Sequence, residues 1–347
     1  MMEDHYWRVS KLLKNNIWGI DNMEEKYNLG MYGAGHVARN IAKSCECLSN
    51  RIIKYAVASR TFETALKFQK ECEFKKAYAT YDELLADQTI DIIYISTPTG
   101  CHYEDIKKCL FANKNVISEK PFTETFGQAQ ELFTIAEKKG LILIDATWTM
   151  YLPIYKEIDN LIMGEKDSVK WLFASFGYPG LKNKRLMNPS GGGSLLDKGI
   201  YCIALANRYL LGDLFEVRSH NKYKDGVDID NKILLKFTDG TARLHSSILH
   251  RTTYCLVLKT KRKIIVSRRF WKGESFWIWR FPFVIKHTYL PHKINGYEYE
   301  IEEAIKALDT GKIFSDTYKP KDTLKNMQII DYVKNEVSAS KHGVVQK

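Results

Sequence analysis

The chain has 347 residues, of which 45% are hydrophobic and 27% charged, and a formal net charge of +11. That length accommodates two domains with cores of their own, while no apolar run approaches the roughly 18 residues that span a bilayer, and the first residues lack the apolar core and cleavage site of a secretory signal. The positive charge concentrates between Arg251 and Lys293, where Glu274 is the only acidic residue; with no helix-turn-helix, RRM or zinc-finger spacing beside it, nucleic acid is set aside as a partner.

In chain order, residues 1–26 read as a polar extension, with Trp7, Leu12, Leu13, Ile17 and Trp18 forming a short amphipathic helix. From Tyr27 strands and helices alternate. Strands are expected at Tyr27–Tyr32, Ile52–Ala58, Ile90–Ser96, Asn115–Ser118 and Leu141–Asp145. Helices are expected at Val37–Leu48, Phe62–Cys72, Tyr81–Ala86, His102–Ala112 and Thr125–Lys139. Strands separated by helices of this length imply a parallel, doubly wound sheet with right-handed crossovers, ending near Ala146.

The second half differs. A helix at Pro153–Met163 and a strand at Val169–Phe176 lead through a glycine-rich turn into a long helix, Leu195–Leu211. Five strands follow between Val217 and Val266, with Asp239-Gly240 as a hairpin turn between two of them. Helices at Glu300–Thr310 and Lys321–Val337 close the chain. The fold expected is therefore α/β: an extension at 1–26, a dinucleotide-binding Rossmann domain at 27–146, and an α+β domain with an open, mainly antiparallel sheet at 147–340 for substrate and oligomerisation. The seven cysteines have no zinc-like pairing and read as reduced thiols, which places the chain in the cytoplasm. No residue is singled out as a metal ligand.

Gly33-Ala34-Gly35-His36-Val37-Ala38 is a G-x-G-x-x-A turn between a strand and a helix. Its glycines allow a tight turn and close approach of backbone to a pyrophosphate, which the free N–H groups and dipole of the helix N-terminus then hold. An acidic residue at the end of the second strand would bind the ribose 2′-hydroxyl of NAD. Ser59 and Arg60 stand there instead, and an arginine can pair with a 2′-phosphate, so NADP is favoured and NAD is the alternative. Ser118-Glu119-Lys120-Pro121-Phe122 follows a strand that ends at the ligand-binding edge, where Lys120 can hold a substrate hydroxyl or exchange a proton.

Together GAGHVA, STPTGCH, SEKPF and GGGSLLDKGIY resemble the Gfo/Idh/MocA oxidoreductases, with closer similarity to the dimeric dihydrodiol dehydrogenase and NADP-dependent D-xylose dehydrogenase branch in AVASRTFETA, ASFGYPG and PKDTLKNMQIIDYV. The resemblance implies that Lys120 contacts the nicotinamide ribose and the reacting oxygen, that Tyr201 exchanges the proton, and that Asp197 is its acidic partner. It also implies that Glu119, Thr97, Pro98 and His102 lie against the cofactor and that Trp148, in the interdomain stretch, faces the substrate. On the residues themselves, Asp197 and Tyr201 are four apart on one expected helix face, and a lysine near Tyr201 is expected to stabilise its phenolate.

Two departures concern the substrate. Met150 stands where similar proteins often carry arginine, and Lys198 adds a positive charge inside the D-x-G motif. With Arg185 it hints at a phosphorylated or acidic sugar. The aromatic-basic stretch from Arg268 to Phe281 reads as alternate aromatics covering the sheet through which the chain forms a homo-oligomer, with peripheral membrane contact as the competing reading. The function expected is hydride transfer between nicotinamide and a carbinol carbon of a sugar, sugar phosphate or nucleotide sugar. A non-catalytic NADP-binding regulator or scaffold is the alternative, and a tightly held cofactor cycling between two sugars is a variant of the first.

Overall fold

The computed structural model describes residues 25–280 and 283–341; the amphipathic helix expected from Trp7 to Trp18 falls outside them. Six strands, β1 (Tyr27–Tyr32), β2 (Ile52–Ala58), β3 (Lys76–Tyr78), β4 (Ile92–Ile95), β5 (Asn115–Glu119) and β6 (Leu143–Ala146), form one sheet in the order 3-2-1-4-5-6. Every neighbouring pair is parallel. The strands are connected by α1 (His36–Ser44), α2 (Phe62–Cys72), α3 (Tyr81–Ala86), α4 (Thr99–Phe111) and α5 (Phe126–Lys139). All four residues of β4 are buried, as expected of a strand covered on both faces. The order reverses between β1 and β4, and it is outside the carboxyl ends of these strands that such sheets bind ligands.

Helix starts in this sheet differ in a way that bears on function. Thr61, Thr80 and Thr125 each accept a backbone N–H from the first turn of α2, α3 and α5, the usual satisfaction of orphan donors. α1 begins on Gly35 with no side-chain cap. α4, which begins after Pro98, likewise has no side-chain cap, so the first N–H groups at both starts lack a side-chain partner.

The second half comprises α6 (Pro153–Gly164), β7 (Val169–Gly177), a π-helical turn (Leu195–Gly199) running into α7 (Ile200–Tyr209), seven further strands, α8 (Glu298–Thr310) and α9 (Pro320–Lys341). The strands are β8 (Leu214–Lys224), β9 (Val227–Phe237), β10 (Gly240–Ser247), β11 (Cys255–Thr260), β12 (Ile264–Arg268), β13 (Ser275–Arg280) and β14 (Phe283–Tyr289). With β7 they form an eight-stranded sheet in the order 14-13-12-11-7-10-9-8, antiparallel except where β7 meets β10. Alternate residues such as Leu172, Ala174, Leu235, Leu244, Leu256 and Ile278 are buried. On the other face Trp171, Phe173, Leu234, Val257, Trp277 and Trp279 are only half-buried. This period of two is what β-structure imposes.

Three local expectations are corrected. Phe237 pairs with Gly240, so the hairpin turn is Thr238-Asp239, one residue earlier than Asp239-Gly240, because Gly240 is already held in the ladder. The stretch after Arg268 contributes β13 and β14, two strands beyond those expected; in β13 Phe276 is buried and Trp277 and Trp279 are half-buried, the alternation of aromatics expected there. The long helix expected at Leu195–Leu211 starts as a π turn and ends at Tyr209. No described helix is long and apolar enough to cross a membrane.

α9 returns to the first sheet and fastens the two halves. Asp331 accepts the Phe126 N–H at 2.9 Å, and Lys334 donates to the Glu124 carbonyl at 2.9 Å. Thr323 donates its hydroxyl to Asp145, which also accepts from Thr147, both at 2.8 Å. Burial nevertheless pushes the Asp145 carboxyl up to about 6. The folded value exceeds the unfolded one of about 3.9, so this group favours the fold at low pH and the contribution is lost as pH rises through 6. Asp145→Asn removes the charge and keeps one threonine donating to the amide oxygen while the other hydroxyl turns to accept from the amide N–H. Its melting temperature relative to wild type is therefore expected to rise by a few degrees between about pH 5 and pH 7.5; parallel melting curves across that range would contradict it.

Candidate active site

At the end of β1, Gly33 takes φ +104°, and a Cβ there would come within 3.1 Å of the Ser96 hydroxyl and 3.2 Å of its backbone carbon. Only glycine satisfies both limits. Gly35 and His36 are exposed, Val37 is half-buried and Ala38 is fully buried. The loop thus opens its backbone outward while α1 packs tightly on the sheet, a cradle that fits a dinucleotide pyrophosphate. Ser59 and Arg60 follow β2 at the same edge, with Arg60 exposed. Among the described residues no carboxylate stands beside them before Glu63.

Thr97 and His102 serve the loop after β4. Thr97 donates to Asp105 at 2.6 Å, and Asp105 also accepts from Tyr32 at 3.2 Å. The buried His102 ring lies 2.9 Å from the Pro121 carbonyl and 2.8 Å from that of Thr97, and burial lowers its pKa. It ties the β4–α4 loop, with Pro98 exposed at its tip, to the Glu119-Lys120-Pro121 turn. The neutral ring has one N–H, which one of these two carbonyls accepts; together the contacts join the loop to the turn, so His102 positions that loop.

Below Lys120 lies a buried acid pair. Tyr94 is 2.7 Å from Glu119 and 2.5 Å from Glu300 of α8. One phenolic proton cannot serve two carboxylates, so one acid keeps a proton and donates it to the Tyr94 oxygen. Burial followed by the Glu119 charge raises Glu300 well above the usual carboxylate range, and burial pushes Glu119 up to about 7. Glu119 also accepts the Lys120 N–H at 3.2 Å, which anchors the turn from beneath.

The π turn brings the second half's polar residues to this lysine. Lys120 Nζ donates to the Asp197 carbonyl at 2.9 Å and lies 3.5 Å from its carboxylate. Lys198, fully buried, approaches the other carboxylate oxygen to 2.8 Å, and Arg185 reaches Asp197 at 3.0 Å. Burial opposes the Asp197 charge, but Lys120, Lys198 and Arg185 outweigh it and hold the carboxyl far below its ordinary value. Burial in turn lowers Lys198, against the pull of Asp197. The widened turn departs from the regular four-residue spacing expected for Asp197 and Tyr201, and such π turns concentrate at functional sites.

Tyr201 stands beside this cluster. Its hydroxyl accepts the Trp148 indole N–H at 3.0 Å, and Lys120 Nζ lies 4.8 Å from its ring centroid. Trp148 is itself buried and stacked on Tyr297 at 4.6 Å. The expectation that the lysine stabilises the phenolate is corrected. Burial, then the negative charge of Glu119, raises the Tyr201 pKa well above 10, with Asp197 and Glu300 adding to it. Lys120 lies over the ring, away from the role of an oxygen partner, so the phenol stays neutral. Because Trp148 already donates to the oxygen, the Tyr201 O–H is free to point at a substrate.

Several supporting residues carried no individual role in the sequence reading. Asp228 accepts from Leu195 N–H at 2.7 Å and from the Ser194 hydroxyl at 3.1 Å, setting the start of the π turn. Gly193, with φ +89°, is required there because a Cβ would fall 2.0 Å from Asp228. Tyr178 lies under Lys198, 4.0 Å from Nζ; it belongs to the ASFGYPG segment, which was legible as a resemblance without a role attached. Met150 is buried, and its carbonyl accepts from Arg208 at 3.2 Å. Asp230, His245 and His250 place ligand-type atoms within 4.8 Å of one another, and the 2.9 Å contact between Asp230 and His245 accounts for two of the three.

Residues 27–146 match the model of the Gfo/Idh/MocA group, described as an oxidoreductase family with an NAD-binding Rossmann fold. The chain is 30% identical over 270 residues to a trans-1,2-dihydrobenzene-1,2-diol dehydrogenase from Xenopus laevis, covering 74% of this chain and 81% of that one. It is 32% identical over 260 residues to a dTDP-3,4-didehydro-2,6-dideoxy-alpha-D-glucose 3-reductase from Saccharopolyspora spinosa, covering 72% and 76%. The chain belongs to the Gfo/Idh/MocA oxidoreductase family. The same fold occurs in a 3-ketoreductase from Actinomadura kijaniata crystallised with NADP and TDP-benzene, at a TM-score of 0.78 and 24% identity, over 90% of this chain and 98% of that one.

Proposed function

We propose that this family member is an NADP-dependent oxidoreductase that interconverts a carbonyl and a carbinol on a sugar-like substrate, with Tyr201 as the proton donor. The observation that carries the reading is the Tyr201 hydroxyl: its oxygen is occupied by Trp148, its proton is free, and its pKa is raised by burial and by Glu119. NADP(H), when bound along Gly33–Ala38, supplies the hydride. Tyr201 gives its proton to the substrate oxygen in reduction and takes one back in oxidation. Lys120 stabilises negative charge developing on that oxygen, and Asp197 fixes Lys120 through its carbonyl and carboxylate. Trp148 orients the phenol, so its relation to substrate is indirect. The presence of both Lys120 and Tyr201 argues against a non-catalytic scaffold.

A cofactor-fluorescence screen with NADPH and NADH over sugars, sugar phosphates and nucleotide sugars tests the reading; tight NADPH binding with no turnover on any of them would overturn it. Arg60 is assigned to the 2′-phosphate. Arg60→Ala is expected to raise KM for NADP by about ten- to a hundredfold and to leave KM for NAD nearly unchanged. Equal effects on both cofactors would remove Arg60 from that role.

The division into a Rossmann domain at 27–146 and a substrate domain at 147–340 belongs to this proposal. So does a cytoplasmic location. So does a homodimer joined across the half-buried face of the eight-stranded sheet, where Trp171, Phe173, Trp277 and Trp279 make an apolar surface.

A further inference from the structure

The basic segment after β12 folds against the loop between β10 and β11. Arg251, Arg268, Arg269 and Lys272 line one hollow of about 750 Å³ in which Glu274 is the only acidic side chain. Among the described residues none of these four cations forms an ion pair. Other basic residues of the same region are paired: Lys263 and Arg280 both meet Glu165, at 2.6 and 3.0 Å. Four cations and, among the described residues, one carboxylate lining the same hollow make it a positive concavity, which raises the local concentration of anions.

The backbone at this hollow is unusual as well. Tyr254 and Arg269, side by side in its wall, take left-handed conformations, φ +54° and +48°, and are joined by the Arg269 N–H to the Tyr254 carbonyl at 2.7 Å. Bulky residues seldom take such angles, and those that do cluster at ligand clamps and functional sites. The hollow lies at the end of the sheet where β7 leaves for Tyr178, since Cys255 pairs with both Ser175 and Arg268. Phe176 spans the distance to the catalytic residues, its ring 6.0 Å from Tyr254 and 5.9 Å from Tyr201. On the far side of Phe176, Lys120, Lys198 and Arg185 share the carboxylate of Asp197.

We propose that this hollow binds the phosphate or diphosphate group of the substrate, so that the enzyme acts on a phosphorylated or nucleotide-linked sugar. The inference rests on Tyr201 and Lys120 being the reaction centre. Guanidinium groups suit it because their forked N–H donors match phosphate oxygens.

Calorimetry with inorganic pyrophosphate on the full chain tests the pocket without requiring turnover. Arg251→Gln/Arg268→Gln avoids the left-handed positions and is expected to weaken pyrophosphate binding about tenfold or more. Lys272→Gln alone should weaken it less. Lys261→Ala, which removes a charge at the far end of the β11–β12 hairpin, should leave it unchanged. In the NADPH assay the double variant should raise KM for sugar phosphates or nucleotide sugars about tenfold while kcat stays within about twofold. Equal pyrophosphate affinity in all four proteins overturns the pocket. Weakened pyrophosphate binding with unaltered KM for phosphorylated substrates overturns its assignment to substrate. A loss confined to phosphatidylglycerol vesicles overturns it in favour of a membrane contact. Failure of the reaction reading looks different: the wild type would bind pyrophosphate normally and turn over no sugar.

Discussion

Lys120→Ala is expected to lower turnover by about a thousandfold, within the range of roughly 10²–10⁴ for removal of one positioned catalytic group, while NADP affinity changes by less than about tenfold. The asymmetry follows from where the lysine is held. The cofactor's pyrophosphate, midway along the dinucleotide, would lie on the uncapped start of α1, removed from the reacting carbon by the nicotinamide ribose. Lys120 is fastened by the Asp197 carbonyl and carboxylate and sits over Tyr201, so removing it takes away charge stabilisation at the reacting oxygen and at most one contact to the nicotinamide ribose. Its loss also leaves Asp197 with Lys198 and Arg185, which keeps that buried carboxylate paired and the fold intact. Single-turnover kinetics with NADPH, beside cofactor titration by fluorescence, separates the two quantities. A variant with full turnover would remove Lys120 from the chemistry.

Tyr201→Phe is expected to cost a comparable factor of about 10²–10⁴ in kcat with KM little changed, because the proton is needed only as charge develops on the substrate oxygen. The variant also leaves the Trp148 N–H without its acceptor, and a buried donor left unpaired costs about 1–3 kcal/mol of stability. The wild-type pH profile supplies the control. With burial and Glu119 holding the phenol well above 10, carbonyl reduction should show no loss of kcat from Tyr201 ionisation between about pH 7 and pH 9. An alkaline limb in that interval that disappears in Tyr201→Phe would mean that the bound cofactor lowers the phenol far below its value in the free protein.

Much of the first sheet was legible because its signals are local. Apolar runs such as Ile92–Ile95 bounded by helices specify buried parallel strands, and threonines at Thr61, Thr80 and Thr125 mark helix starts. β3 escaped notice because Lys76–Tyr78 is three residues long with none fully buried. In the second sheet, β13 and β14 were hidden under a composition that invited a membrane reading. Pairing with β12 decides their state, and that pairing is long-range. The hairpin turn was displaced by one residue because Gly240, a typical turn residue, is held in the ladder opposite Phe237.

The sequence by itself determined the nucleotide loop and the arginine at the end of β2, whose chemistry depends on residue type and spacing, while Lys120, Asp197 and Tyr201 were singled out by the motifs that resemble the family. Only the tertiary structure decided how these residues act on one another. The neutral state of Tyr201 comes from burial and from Glu119, which is 82 positions away in the chain. The charge of Asp197 is set by Lys120 and Arg185 as much as by its neighbour Lys198. Arg251 meets Arg268, Arg269 and Lys272 only because β11 and β12 pair. Electrostatic interaction and desolvation depend on distance and burial in space, and neither is a property of sequence order.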